Sequence, residues 1–354
     1  MFGEDELFFS PDIITPDNKK TFKIPEGNPS MEEIFILYPW ITKRPSYVFI
    51  KTDATRRNLI SGVSRLGCPS LVSIADTHHL PQPIEVMMNY LSSEEFTYVS
   101  AENDRHHLKW YERAGHQNLC WLPNAALSPE IKKQVNFSNI VHRVNFVGSV
   151  GNYHPYRKCV VSYLARNVEC FDYGRADQEG CSDIYNRYLI SLNISLNSDL
   201  NWRFFEILAA SGFLLTDRLP NTSGINRLFV EGEHYEAFGC EKELKEKIAY
   251  YIEHPKEAYQ IASKGHIRYM EYVSAKIIRK AAARLLMFNN LDNEFTFKLE
   301  NKSKKGLKDL RKYQAIQEIH RKSTYLILIY ADMKSCEELF RDVEDFPRIY
   351  KKAF

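Results

Sequence analysis

Residues 189–216 read LISLNISLNSDLNWRFFEILAASGFLLT. An apolar strand leads into a polar loop, then a short helix carrying Arg203 and Glu206, a small-residue turn, and a second apolar strand. Strand, helix and strand in this order indicate a parallel βαβ unit. Open parallel sheets bind ligands at the carboxyl ends of their strands, which is where this loop and helix fall. A carboxylate at such a crevice can accept two hydroxyl hydrogen bonds, so a ribose diol or a phosphate-linked sugar suits Glu206. Asn201, Arg203 and Glu206 stand at i, i+2 and i+5, which one regular helix face does not align. The loop-to-helix transition would have to align them. The plain alternative is a surface i,i+3 pair of Arg203 and Glu206, worth about 0.2–0.5 kcal/mol. Two flanking apolar strands and the close-packing run Ala209-Ala210-Ser211-Gly212 favour a site instead.

The pattern extends in both directions. Residues 1–33 are rich in Pro, Asp, Asn and Lys and read as an irregular lead-in. From Ile34, the segments 35–38, 47–51, 71–76, 96–101 and 119–123 read as strands, with helices expected over 54–66, 81–91 and 104–115. This is an N-terminal Rossmann-like domain over 34–140. After a short connection at 136–142, a second begins near Arg143. Its strands are expected at 144–149, 168–174, from Leu189 and over 212–217, with a helix over 157–167. Helices follow over 244–252 and 255–263, with Pro255 in a first turn and Gly265 as a C-cap. An amphipathic segment, 267–288, closes this domain, 143–288. Residues 289–305 read as a polar linker, and the extension 289–354 ends in helix, strand (324–331) and helix. Two such halves imply a cleft for substrate.

Bulk properties narrow the function. The 354 residues carry 47 Lys+Arg against 45 Asp+Glu, a net charge of +2, so no bulk field favours nucleic acid. Seven dispersed cysteines without a C-x-x-C pair suit reduced thiols and a cytoplasmic location. The N-terminus lacks a basic n-region and no apolar run approaches a spanning length. A peripheral membrane contact stays open. There is no Walker A loop, G-x-G-x-x-G fingerprint, G-x-S-x-G elbow or H-E-x-x-H helix.

Two further motifs carry chemistry. In VNFVGSVGNYHPYRK, 144–158, a strand runs into a turn at Gly148 and Ser149 and then a helix, whose free N–H groups and positive pole suit a phosphate. Arg157 or Lys158 would neutralise a diphosphate; solvated basic residues on an ordinary helix are the alternative. DTHH, 76–79, follows an apolar strand, and His106-His107 form a second pair. Such residues serve metal binding, acid/base catalysis, or neither.

Together these elements resemble the glycosyltransferases related to the spore-maturation protein CgeB, within the retaining glycosyltransferase family 4 group. The resemblance rests on FVGS with Arg157, YGRA (173–176), SLN…NWRFFEILAASGFLLT and LF-x-EGEHYEAF (228–238), together with the helical ending up to 288. It implies a GT-B fold, that is, α/β with two Rossmann-like domains facing a central cleft, here with a C-terminal α/β extension. Glu206 resembles the ribose-binding second glutamate of the Glu–seven-residues–Glu motif, and Arg157 the diphosphate-binding base. The first glutamate's position falls at Ser198, beside Asp199, a departure general among CgeB-like sequences. The resemblance also implies that an N-domain group, His78 first and Asp76 second, serves catalysis or acceptor placement.

The expected protein is therefore a glycosyltransferase using a nucleotide-diphosphate sugar as co-substrate. Glu206, Arg203, Asn201, Arg157, Lys158, Gly148 and Ser149 would hold the donor, without metal or another cofactor. The acceptor would be a saccharide, lipid or protein, with retention following from the resemblance alone. A non-catalytic sugar- or nucleotide-binding module of the same fold is the alternative, and a metal-dependent hydrolase built on DTHH and His106-His107 a third reading.

Overall fold

The computed structural model describes residues 7–10, 21–25, 27–56, 58–78, 80–123, 140–151, 154–298 and 307–322. The chain divides into two compact units, Met1–Ala125 with Lys276–Arg311, and Ala126–Ala275 with Lys312–Phe354.

In the first unit a small parallel ladder joins β1 (Phe8–Ser10) to β2 (Thr21–Lys23). The main sheet runs β3 (Val48–Asp53), β4 (Ser70–Ala75), β5 (Tyr98–Ala101) and β6 (Leu119–Trp121), all parallel and in chain order. Every residue of β4 is buried, as a strand covered on both faces requires. The helix Pro83–Ser93 links β4 to β5 and buries Ile84, Met87, Met88 and Leu91, the i, i+3, i+4, i+7 stripe of a helix lying on a sheet. Three expectations change here. Residues 35–37 belong to the helix Met31–Leu37, with Tyr38 its C-cap, not to a strand. A four-residue apolar run fits either period, and the reciprocal capping box of Ser30 and Glu33 decides for helix. The described residues of 54–66 form no α-helix: bridges of Asn58 to Gly27 and Ser61 to Ser30 precede the 3-10 turn Ser64–Leu66. The polar stretch after 289 packs on β6 through buried Phe295 and an antiparallel bridge of Thr296 to Cys120.

The second unit holds β7 (Val141–Val147), β8 (Phe171–Gly174), β9 (Tyr188–Asn193), β10 (Leu214–Asp217) and β11 (Glu236–Phe238), a parallel sheet of order 11-10-9-7-8. Its core packs Val144, Phe146, Ile190, Leu192 and Leu215 against Val160, Val161 and Leu164 of the helix Pro155–Asn167 and Leu244 and Ile248 of the helix Glu241–Glu253. A helix over Gln178–Arg187, absent from the sequence reading, begins where Asp177 caps Gly180 N–H at 2.8 Å. The brief β11 also escaped. Gly265 is not a C-cap; the helix Pro255–Tyr272 runs through it. A Cβ there would overlap the His234 carbonyl and stand 2.9 Å from Leu208 Cδ2, so glycine permits a close crossing. The 267–288 segment breaks at Val273 and Ser274, and Ala275–Phe288 is a separate helix. Lys308–Lys322 is helical, as expected. The expected strand 324–331 and final helix lie outside the described residues, as does most of the connection 136–142.

Candidate functional site

In the second unit β8 pairs on one side of β7 and β9 on the other. Successive connections therefore leave β7 in opposite directions, opening a crevice at the carboxyl ends of β7 and β9. Gly148 and Ser149 follow β7 and Ile194 follows β9, so the turn expected to bind an anion sits at this switch point. Gly148 has φ 152°, and its amide donates to Gly174 O.

Three guanidiniums converge on the turn. Arg203 Nε donates to Val147 O at 2.7 Å and Nη1 to Asn193 Oδ1 at 3.3 Å. Arg157, only 8% exposed, donates from Nη1 to Ser149 O at 3.3 Å and from Nη2 to Ile194 O at 3.0 Å. Both lie near the Phe146 ring, with Cζ 4.6 and 5.8 Å from its centroid. Arg175, just beyond β8, donates to Ser149 Oγ at 3.1 Å. Among the described residues none of the three has a carboxylate at ion-pair distance. Burial, reinforced by the charge of Arg203, pushes Arg157 down to about 10, still cationic at neutral pH. Three cations thus surround the turn, and the buried carboxyl groups of Asp199 and Asp217 partly offset the downward push on Arg157. Lys158 is exposed on the next helical position.

The helix Trp202–Ala209 buries Phe204, Phe205, Ile207, Leu208 and Ala209, leaving Trp202, Arg203 and Glu206 on its other side. Asn201 is its N-cap, accepting from Phe204 N at 3.2 Å. Arg203 reaches toward β7 and β9, and no ion pair joins it to Glu206. The half-buried Glu206 carboxylate accepts no hydrogen bond from a described residue. Burial pushes its pKa up, partly offset by Arg203. The turn after this helix is tight: Ser211 has φ 56°, and a Cβ at Gly212 would stand 2.9 Å from Tyr185 O. Asp199, beside the position of the missing family glutamate, faces its own loop and accepts from Leu196 N at 2.5 Å. Asp217, pushed up by burial, accepts from Ser195 N at 2.8 Å and from Ser195 Oγ.

The first unit has its own polar cluster at the carboxyl ends of β4 and β5. His78 Nδ1 lies 2.9 Å from Asp104 Oδ2, which also accepts from Thr77 N and Oγ1 at 3.1 Å each. His107 Nδ1 contacts Thr77 Oγ1 at 2.7 Å. Burial disfavours the Asp104 carboxylate, but His78 and His107 outweigh it and hold the pKa far below the usual range. Burial pushes His107 down to about 4 and His106 well below its ordinary value. Asp76, in the left-handed region at φ 48°, accepts from Asn103 Nδ2 at 2.9 Å. An apolar groove between Met31, Phe35, Ile36 and Leu66 has no comparable chemistry, because Glu94 there caps Gly62 N and Val63 N.

The structure thus gathers Gly148, Ser149, Arg157 and Arg203, places Glu206 beside Arg203 on one helix, and puts His78 and Asp76 in the other unit. The sequence reading assigned no role to Arg175, although YGRA stands at a strand end, nor to Asp104, which directly precedes the His106 turn.

A parallel sheet with a cationic turn at its switch point, and a carboxylate on the helix that carries Arg203, makes this the candidate site of the second unit. Residues 131–282, less than half of the chain, match the model of a family described as glycosyl transferase-like. Sucrose-phosphate synthase from Thermosynechococcus elongatus is 10% identical over 72% of this chain and 75% of its own, with a TM-score of 0.50. At this identity the likeness establishes the fold, the α/β GT-B class expected from the sequence. TarM (9% identity, TM-score 0.45) and Anabaena HepE, solved with UDP and glucose (13%, 0.45), are further neighbours. They cover 62% and 63% of this chain, and 50% and 72% of their own. The chain spans half of TarM. No curated protein sequence matches. No helix among the described residues is long and apolar enough to cross a membrane.

Proposed function

We propose that the chain is a glycosyltransferase whose second unit holds a nucleotide-diphosphate sugar. The observation that carries this reading is the pairing of Glu206, a half-buried carboxylate without a hydrogen bond from a described residue, with the Gly148–Ser149 turn and its three guanidiniums. The carboxylate accepts the ribose hydroxyls. Arg203, Arg175 and Arg157 neutralise the diphosphate, Lys158 adds charge at the rim, and the Gly148 and Ser149 backbone lets phosphate approach. In the reaction the bond between the sugar's anomeric carbon and the diphosphate oxygen breaks, the nucleotide leaving with the electron pair. The acceptor oxygen forms the new bond and gives up its proton. Fixed cations at the leaving group lower this barrier because their orientation precedes the reaction. His78 or Asp76 handles the acceptor hydroxyl. Retention follows from the sequence resemblance, and inversion would follow if Asp76 acted as a direct base.

Nucleotide diphosphates should raise the melting temperature, and incubation with a panel of nucleotide sugars should release free nucleotide slowly by hydrolysis. Binding without any turnover across the panel supports a non-catalytic module instead. Binding of UDP and GDP that survives Glu206→Ala unchanged defeats the donor-site assignment.

A further inference from the structure

We propose that Asp104, His106 and His107 form a binding site for a divalent transition-metal ion. One ligand atom from each lies within 4.8 Å of the others. All three side chains are buried, at 1%, 3% and 0% exposure. The two oxygens of Asp104 are used unequally. Oδ2 takes the three contacts with Thr77 and His78, while buried Oδ1 has no hydrogen-bonding partner among the described residues. The His106 ring packs edge-on against His107 at 4.2 Å between centroids, and neither of its nitrogens has a hydrogen-bonding partner among the described residues. A buried polar group without a partner costs about 1–3 kcal/mol, and more when charged. An isolated orphan is ordinary; a bare carboxylate oxygen gathered with an imidazole that lacks both partners is not.

A cation satisfies both at once. Two imidazoles and one carboxylate are the donor set of zinc and its first-row neighbours, and three protein ligands leave a fourth position open. Metal–ligand bonds of about 2.0–2.1 Å at tetrahedral angles put donor atoms roughly 3.3 Å apart. The three groups need to close by at most about 1.5 Å, within the reach of side-chain rotation. The two histidines stand on the short turn Arg105–His107 and Asp104 is its N-cap, all in the segment that follows β5. Asp104 would then hold the ion through Oδ1 and His78 through Oδ2, which fixes the orientation of that imidazole. The site lies in the first unit, whereas the arginine-lined turn belongs to the second; through Asp104 it touches His78, so its test reads the bound ion directly and not the transfer reaction.

The test uses the full-length chain, stripped with a chelator and titrated with cobalt(II) as an optical probe. Expected are stoichiometric d–d bands of a nitrogen- and oxygen-ligated ion, without thiolate charge transfer, displaced by zinc, with a rise in melting temperature on zinc addition. His106→Gln, whose parent ring makes no hydrogen bond to a described residue, should fold and lose both signals. His116→Gln, outside the cluster, should keep them. A wild-type chain that gives no bands overturns the proposal whichever variants fold. So do bands that persist in His106→Gln, or bands carrying thiolate charge transfer, which place the ion on cysteine.

Discussion

The guanidinium of Arg203 lies over Gly148 where a side chain would stand: a Cβ on residue 148 would overlap Nη2 and sit 3.0 Å from Cζ. Residue 148 is thereby tied to the conformation of an arginine 55 positions away, through the bond from Nε to Val147 O. Gly148→Ala should push the guanidinium off that carbonyl, a charge-assisted bond worth about 1.5–3 kcal/mol. Alanine at φ 152° adds backbone strain of about 1–3 kcal/mol, so the expected outcome is a protein destabilised by both effects in chemical denaturation that has lost nucleotide-diphosphate protection in thermal shift.

Arg157 and Arg175 should separate stability from binding. Arg157→Met leaves the carbonyls of Ser149 and Ile194 without their buried donor, which should cost about 1–3 kcal/mol. Arg175 is exposed and, among the described residues, bonds only the Ser149 hydroxyl. Arg175→Ala should leave the urea midpoint within about 0.5 kcal/mol of wild type and still weaken diphosphate binding, most clearly at low salt. Equal destabilisation by both variants would contradict this division.

Glu206 should leave a pH signature. Burial raises its folded pKa above the ordinary 4.5, so the folded chain holds the proton more tightly than the unfolded one. The stability this contributes is complete below the unfolded pKa and is lost as pH rises through the folded value. Between those two values wild type should lose stability with rising pH relative to Glu206→Gln, which cannot ionise. Denaturation midpoints of both proteins across that window check the sign. The same Gln variant should have lost nucleotide protection.

Gly265→Ala should destabilise, although alanine is the better helix former by about 1 kcal/mol. The new methyl would overlap the His234 carbonyl and press on Leu208, and such overpacking costs about 1–3 kcal/mol. A midpoint shift toward higher denaturant would refute the close crossing.

Much of the fold was legible because long apolar runs carry their own evidence. SLVSIA and LISLN admit few readings except buried strands, and WRFFEILA between two such runs reads as a crossover helix. Short pieces were not legible. FILY fits a helix or a strand until Ser30 and Glu33 are seen to cap each other. EAF has no period at all, and QEGCSDIYNR hides its helix behind polar residues and a glycine, with Tyr185 its one fully buried aromatic. Gly265 looked like a stop because sequence records its freedom but not the carbonyl pressed against it. At the candidate site, the strand–turn–helix patterns that carry Arg157, Arg203 and Glu206 were readable, each residue lying in the first turns of the helix that follows a strand and its loop. The contacts of Arg175 and Asp104 were not, since they are made to neighbours about 26 residues distant, Ser149 and His78.

The loop from Ile194 to Leu200 is held entirely by its own chain. Asp199 and Asp217 take its amides, Arg157 takes the Ile194 carbonyl, and Asn197 and Ser198 are fixed in left-handed conformations at φ 55° and 69°. Its shape therefore does not wait for a ligand. Amide hydrogens of Ser195 and Leu196 should exchange slowly before any nucleotide is added and change little afterwards, so that affinity here is not spent on ordering the polypeptide.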